Sequence, residues 1–390
     1  MQGSGANPGA MRSQDSLVGS DNYGSTGYSS NYDWFLTSDD SRFTSNKDDE
    51  SCSELQQNPP SILSGNRLNL TGFNVNGSRP HCLQQPHPVS HSRGSILLLA
   101  KDKYGCQLLQ EMLMKGLKTE DFSRIFLELI GHVNELAQDP FGNYLFQTLV
   151  EVCTEEQRTQ IIRVITSSDF QFVHICLNFH GSRAAQKLLE HVTTQNQQTI
   201  LILALIPGVV ALTKDFNGHL VILQCLKHFS DQKTKQFVNH SKGVTKGYLI
   251  SIIAQLALDL ARDRYGNYVV QHLISLRIDT VAKTILRKLQ GNFVSLSCNK
   301  YSSNVVQKLI ESGEEYCRTQ IILELLQDTN GPMLLVDPYG NYVIQSALMA
   351  SKGRIRDAIL RLIELNSLMM SINIFGKKIL AQFDKAKYDK

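Results

Sequence analysis

Arg264-Tyr265-Gly266-Asn267-Tyr268-Val269-Val270-Gln271 decides the fold, because it returns in variant form along the chain. Upstream are Lys103-Tyr104-Gly105-Cys106-Gln107-Leu108-Leu109-Gln110, Pro140-Phe141-Gly142-Asn143-Tyr144-Leu145-Phe146-Gln147, Phe179-His180-Gly181-Ser182-Arg183-Ala184-Ala185-Gln186 and Phe216-Asn217-Gly218-His219-Leu220. Downstream are Lys300-Tyr301-Ser302-Ser303-Asn304-Val305-Val306-Gln307, Pro338-Tyr339-Gly340-Asn341-Tyr342-Val343-Ile344-Gln345 and a weak last copy, Ile374-Phe375-Gly376-Lys377-Lys378. From glycine to glycine, with Ser302 standing in once, the gaps are 37, 39, 37, 48, 36, 38 and 36 residues. A period near 37 built of helices predicts a solenoid, in which no single copy buries its own apolar face and stacking supplies the core.

The texture between copies is helical. From 122 to 137 the apolar residues are Phe122, Ile125, Phe126, Leu129, Ile130, Val133, Leu136 and Ala137. That stripe is one face of an amphipathic helix. Long alternating strand patterns are missing, so residues 93–390 read as all-α. Asp139, Asp215, Asp263 and Asp337 lie three residues before a glycine, a position suited to turn or N-cap chemistry. Three, four and seven residues after it come apolar side chains such as Leu145, Phe146 and Leu149, which belong to the core. The residues one, two and five after it are expected on the opposite face.

Those three positions hold Cys106/Gln107/Gln110, Asn143/Tyr144/Gln147, Ser182/Arg183/Gln186, His219/Leu220/Leu223, Asn267/Tyr268/Gln271, Ser303/Asn304/Gln307 and Asn341/Tyr342/Gln345. A merely solvated helix face would carry Lys and Glu. Amides offer a donor and an acceptor together, which suits the edge of a base. Tyr rings and Arg guanidinium planes stack on bases of any sequence. Together they point to unpaired RNA.

Composition removes other classes. The chain has 390 residues and a net charge of +3. Residues 1–92 carry five basic and nine acidic side chains; the remainder carries 34 and 27, a balance compatible with nucleic acid. The first 92 residues are rich in Ser, Asn, Gly and Asp and are expected to be a disordered tail. Trp34 lies there, as do His81, Cys82, His87 and His91, whose spacing fits no closed metal site. No secretory signal is visible, and the longest apolar run, Ile200–Leu212, is broken by Pro207-Gly208 and is too short to span a bilayer. Eight cysteines without a Cys-x-x-Cys pair predict a reduced, intracellular compartment. No phosphate loop, nucleophile elbow or metalloprotease motif is present, so the expectation is a binding protein that is not an enzyme and has no metal or cofactor.

With this triplet recurring at one offset, the region from about Ser95 to Lys387 resembles the Pumilio (PUF) family of single-stranded-RNA-binding repeat proteins. The resemblance implies a right-handed α-solenoid of three-helix repeats forming a crescent, with RNA antiparallel along its concave face and one base per repeat. Under the family's pattern, Asn with Gln reads uracil, Ser or Cys with Gln reads adenine, and Ser with Glu reads guanine. The copies then read 5′-UAU, an undefined stretch x, and AUA-3′. Gln307 stands where the family usually has Glu, which replaces a UGU preference by UAU. The resemblance further implies a cytoplasmic or nuclear monomer that acts on mRNA 3′-untranslated regions through translational-repression or deadenylation proteins, with no membrane partner. A protein-interaction solenoid and a structural RNA binder in ribosome assembly are the competing readings. His219/Leu220/Leu223 has no amide and is expected to discriminate bases poorly, His219 lining the surface. In the 48-residue gap, 241–261 reads as the trailing half of a repeat. The expectation is seven repeats and a C-terminal cap, with a fifth family repeat truncated around 230–262 and an RNA face interrupted near its middle, which weakens binding.

Overall fold

The computed structural model describes residues 95–228 and 246–388. The tail, with Trp34 and the histidines around Cys82, lies outside the described residues. Every described secondary-structure element is helical. The first unit is α1 (Ser95–Lys101), α2 (Lys103–Met114) and α3 (Thr119–Leu129). The second is α4 (Val133–Gln138), α5 (Gly142–Val152) and α6 (Glu155–Ile165), and the third is α7 (Gln171–Leu177), α8 (Phe179–Glu190) and α9 (Gln195–Leu205). The fourth is α10 (Val209–Lys214), α11 (Gly218–His228) and α12 (Lys246–Gln255). The fifth is α13 (Ala257–Ala261), α14 (Gly266–Ser275) and α15 (Asp279–Leu289), and the sixth is α16 (Phe293–Ser297), α17 (Ser302–Ser312) and α18 (Glu315–Gln327). The seventh opens on a 3-10 turn, Gly331–Leu335, followed by α19 (Gly340–Ala350) and α20 (Gly353–Leu365). A pair, α21 (Ser367–Ser371) and α22 (Ile374–Tyr388), closes the stack.

The second helix of each unit carries the repeated motif. These helices, α2, α5, α8, α11, α14, α17, α19 and α22, lie side by side in one layer. From α6 onward the third helices form a parallel layer, and the short first helices wedge between. Leu145, Phe146, Leu149, Val269, Val270 and Leu273 are all buried, as their positions require. The 122–137 stripe is two helices, not one. A 3-10 turn at Ile130–His132, containing Gly131, ends the first unit and opens the second. The apolar run after Gln195 breaks at Pro207-Gly208, also into a 3-10 turn.

The repeated glycine is a packing requirement. A Cβ on Gly181 would sit 2.3 Å from the carbonyl oxygen of Ile175, six residues earlier on the short helix. Where the sixth unit has Ser302 instead, its hydroxyl donates to the carbonyl of Leu296, again six residues earlier, at 2.7 Å. The one side chain found at this position converts the collision into a hydrogen bond.

The 48-residue gap resolves through the other end of the motif helix. Buried Arg158 donates to the carbonyl of Val150 at 3.1 Å. Arg318 donates to Ile310 at 2.8 Å and Arg356 to Leu348 at 2.7 Å. Each carbonyl lies eight residues after its glycine position, and each arginine, on a third helix, satisfies orphan carbonyls at the motif helix's C-terminus. In the fourth unit, Lys246 Nζ donates to Leu226, the equivalent carbonyl. The arginines fall 16 residues after the glycine position and Lys246 falls 28 after it. Helix α12 packs between α9 and α15. It is therefore the third helix of the fourth unit. The sequence expectation of a truncated fifth repeat is corrected here: of the segment read as its trailing half, α12 completes the fourth unit and α13 opens the next. Helices α11 and α14 are direct neighbours, so the motif layer runs on where an interruption was expected.

Two rows of polar contacts keep the units in register. On the short helices, Lys101 pairs with Glu135, Lys214 with Asp259, and Arg262 with Ser295 at 3.2 Å. On the motif helices, Lys187 pairs with Glu151 at 3.6 Å, Gln224 with Glu190 at 2.8 Å, and Ser346 with Glu311 at 2.9 Å. The ion pairs among them are partly exposed and add little energy individually, so their role is alignment, while Gln224 and Ser346 are buried. At the seam between the fourth and fifth units the corresponding residues are Lys227 and His272. The Nε2 of His272 is buried without a hydrogen-bond partner among the described residues. Burial, followed by the ammonium groups of Lys246 and Lys227, pushes its pKa down to about 4.

Two outcomes follow for stability. Gly181→Ala should lower unfolding stability by about 1–3 kcal/mol, an overpacking cost, whereas Ser302→Gly should lose only about 1 kcal/mol, one hydrogen bond. A urea-unfolding midpoint unmoved by Gly181→Ala would refute the packing argument. His272 is neutral when folded and binds a proton near pH 6.5 when unfolded. Its contribution is complete above that pH and is lost as pH falls toward 4. Thermal melts between pH 7 and pH 4 should therefore drop more steeply for the native chain than for His272→Gln.

Candidate nucleic-acid interface

Eight identical caps aim the motif helices. Asp139 Oδ1 accepts from the backbone N–H of Phe141 at 2.9 Å and of Gly142 at 2.7 Å. Asp215, Asp263 and Asp337 repeat this, as the sequence indicated. So do Asp102, Asn178, Asn299 and Asn373, which that reading left out although each stands three residues before a glycine position. Every motif helix thus starts with its first free N–H groups satisfied by one carboxylate or amide oxygen.

The cap carbonyl then holds the first residue after the glycine. Asn143 Nδ2 donates to the carbonyls of Asp139 at 2.8 Å and Pro140 at 2.9 Å. With both amide hydrogens engaged, its Oδ1 accepts from Gln147 Nε2 at 3.1 Å. Asn267 with Gln271 and Asn341 with Gln345 reproduce the arrangement, each at 3.0 Å. Where the first residue is small, the glutamine binds its backbone carbonyl, and Gln110 Nε2 also lies 3.2 Å from Cys106 Sγ. Gln110, Gln186 and Gln307 donate from Nε2 to the carbonyls of Cys106, Ser182 and Ser303 at 3.2–3.3 Å. The two sequence classes are thus two geometries.

One expectation needs correction. The first residue does not face away from the core. Cys106, Asn143, Ser182, Asn267, Ser303 and Asn341 are each at most 3% exposed. At Cys106 the cover includes the residue preceding the next unit's glycine: Cys106 Sγ donates to the carbonyl of Phe141 at 3.1 Å. Burial pushes the Cys106 thiol up, so it stays a neutral donor. His219 is also buried, not surface-lining as expected. Its ring stacks on Tyr265 with centroids 5.1 Å apart. Its Nδ1 lies 2.9 Å from the carbonyl of Asp215, which can only accept, so Nδ1 carries the hydrogen. Burial holds the imidazole below its ordinary pKa and neutral.

The other two positions are accessible. Gln110, Gln147, Gln186, Gln271, Gln307 and Gln345 are half-buried. Tyr144 and Tyr268 are 41% and 55% exposed, Gln107 is exposed, and Arg183, Asn304 and Tyr342 are partly so. The structure adds residues that the triplet pattern passed over. The Arg183 guanidinium sits 5.1 Å over the Phe179 ring, and Lys378 lies 5.8 Å from both Tyr342 and Phe375. The signal was the aromatic residue that recurs one or two positions before the glycine. The result is a row of planar groups beside a row of amides. Among the described residues, no three His, Cys, Asp or Glu side chains converge to hold a metal ion.

The cap can be tested by itself. Asp263→Ala should cost about 0.5–2 kcal/mol of stability, while Asp263→Asn, the residue used at 178, 299 and 373, should retain most of it. Equal losses for both variants in urea unfolding would reject the shared-cap reading.

Comparison with known proteins is consistent with this geometry. The family model of the Pumilio-family RNA binding repeat matches residues 95–130, 132–166, 171–206, 208–240, 257–276, 292–326 and 333–363. The chain is 36% identical over 328 residues to Pumilio homolog 12 of Arabidopsis thaliana, covering 78% of this chain and 55% of that protein. It is 41% identical over 292 residues to Pumilio homolog 11 of the same plant, covering 69% and 52%. The chain thus spans about half the length of these curated relatives. Among solved structures it is similar to the Puf4 RNA binding domain bound to the HO endonuclease RNA 3′ UTR recognition sequence, with 31% identity, a TM-score of 0.50, and coverage of 75% of this chain and 99% of that one. PUF-8 in complex with PBE-RNA shares the fold at 23% identity and a TM-score of 0.52, covering 75% and 93%.

Proposed function

The chain belongs to the Pumilio family of RNA-binding repeat proteins, and from that premise we propose that it binds single-stranded RNA in a sequence-specific manner, one base per unit, on the motif-helix face. One observation supports this above the others. Six units present a glutamine at the same offset, held by the first residue after the glycine position, along one unbroken layer of helices. A protein-docking solenoid needs no such repetition. Each amide can accept from and donate to a base edge, and the planar side chains between them stack on its faces.

In this reading the strand runs antiparallel to the chain. The fifth, sixth and seventh units read UAU through Asn267/Gln271, Ser303/Gln307 and Asn341/Gln345. The first three units read AUA through Cys106/Gln110, Asn143/Gln147 and Ser182/Gln186. The targets are elements in mRNA 3′-untranslated regions, and the cellular effect is lowered translation or stability in the cytoplasm through recruited proteins. The Puf4 complex with a 3′ UTR sequence supports that choice of target.

Unbiased RNA selection on the full chain tests the reading. UAU should be enriched at the 5′ side, and Gln307→Glu should move the preferred second base from A toward G. Enrichment of UGU over UAU by tenfold or more for the native chain would overturn the assignment of Gln307. Tyr144→Ala, Tyr268→Ala and Tyr342→Ala should each weaken binding by about 1–3 kcal/mol without changing the preferred bases. Unchanged affinity in all three would remove the stacking role.

A further inference from the structure

Resting on that reading, we propose that the fourth unit holds one nucleotide without reading it, so that the two triplets are separated by a single residue of any base and the full site is 5′-UAUNAUA. The argument begins with the stack. Helix α11 touches α8 on one side and α14 on the other. Lys246 closes this unit on the carbonyl of Leu226, as arginines close the second, sixth and seventh. One motif helix, and therefore one slot, lies between the third and fifth units.

That slot lacks the means to choose a base. Leu223 occupies the position that is glutamine in the six reading units, and it is 6% exposed. It has neither donor nor acceptor. His219 is the remaining polar side chain of the triplet. Its N–H is spent on the carbonyl of Asp215. Its ring lies under Tyr265 at 5.1 Å, with Tyr268 at 6.1 Å and the Phe216 ring packed against Tyr265 at 5.7 Å. That leaves one ring nitrogen, an acceptor with no donor beside it, on a residue only 7% exposed. What the slot offers is apolar and aromatic surface: Leu220, partly exposed, and the exposed ring of Tyr268 from the next unit. Stacking against such surface accepts every base. The base is accommodated and not inspected.

The test uses the full chain and labelled RNAs in fluorescence anisotropy. The set is 5′-UAU-(N)n-AUA with n from 0 to 3, all four bases at n = 1, and a scrambled heptamer. The expected result is tightest binding at n = 1, at least tenfold over the other spacings, with the four central bases within about threefold of one another. A tenfold preference for n = 2, or for one central base, overturns the proposal while leaving the triplet readings intact. Equal binding of the scrambled heptamer overturns the triplet readings and this proposal together. The double variant His219→Asn, Leu223→Gln restores the pair found in the second, fifth and seventh units. It should acquire at least a tenfold preference for U at the centre. A folded double variant, verified by its thermal melt, that stays indifferent would show that something other than the missing amides silences the slot.

Discussion

The approach of each motif helix to the short helix before it is the constraint on which the rest depends. The two meet so closely that a methyl group at Gly181 would lie 2.3 Å from the Ile175 carbonyl. Contact at that range fixes where the motif helix begins. The Asp or Asn three residues earlier then fixes its rotation, by receiving two N–H groups on one oxygen. With start and rotation set, the residues one, two and five positions later have no freedom of register. A binding face assembled from separate units requires this, because stacked units add small placement errors unless each is pinned locally. Ser302 shows how strict the requirement is, since the one side chain found there bonds to the atom it would otherwise strike.

Pinning also explains the division of labour within the triplet. The first residue is buried and, where it is asparagine, spends its donors on the carbonyls at the cap, so its contribution passes through the glutamine one turn later. An asparagine offers Oδ1 and turns Nε2 of that glutamine toward a side chain. A serine or cysteine leaves the same Nε2 to a backbone carbonyl. A change at a nearly inaccessible position therefore alters the orientation of an accessible amide. In a buried network of this kind, replacing the first residue affects both the packing and the orientation of the accessible amide, while replacing the second affects only the exposed plane.

The sequence carried the helical class, the period, the core positions and the cap chemistry, because each is a local property repeated several times. Glycine spacing alone placed Leu145, Phe146 and Leu149 in the core. It could not show that the first residue is covered, because the cover comes from far along the chain, as with Phe141 over Cys106, 35 positions downstream. Nor could helical periodicity see the break at Ile130–His132, since the apolar stripe continues through a 3-10 turn from one unit into the next. The 48-residue gap was misread for a related reason. Length says that something was added or lost but not to which helix the remainder belongs; the hydrogen bond of Lys246 does.

That last contact also explains why the solenoid tolerates the irregularity. In a stack where each unit touches only its neighbours, extra chain is harmless if it leaves between two helices whose ends are already held. The C-terminus of α11 is such a place, because Lys246 anchors α12 to it directly. The altered unit keeps its three helices and its seams. What it has lost is chemical, an amide replaced by Leu223 and an asparagine or serine replaced by a histidine that the next unit packs over. Continuity of the layer and loss of the amide pair are thus separable, because stacking depends on the core-facing residues of the motif helix and the amides come from others.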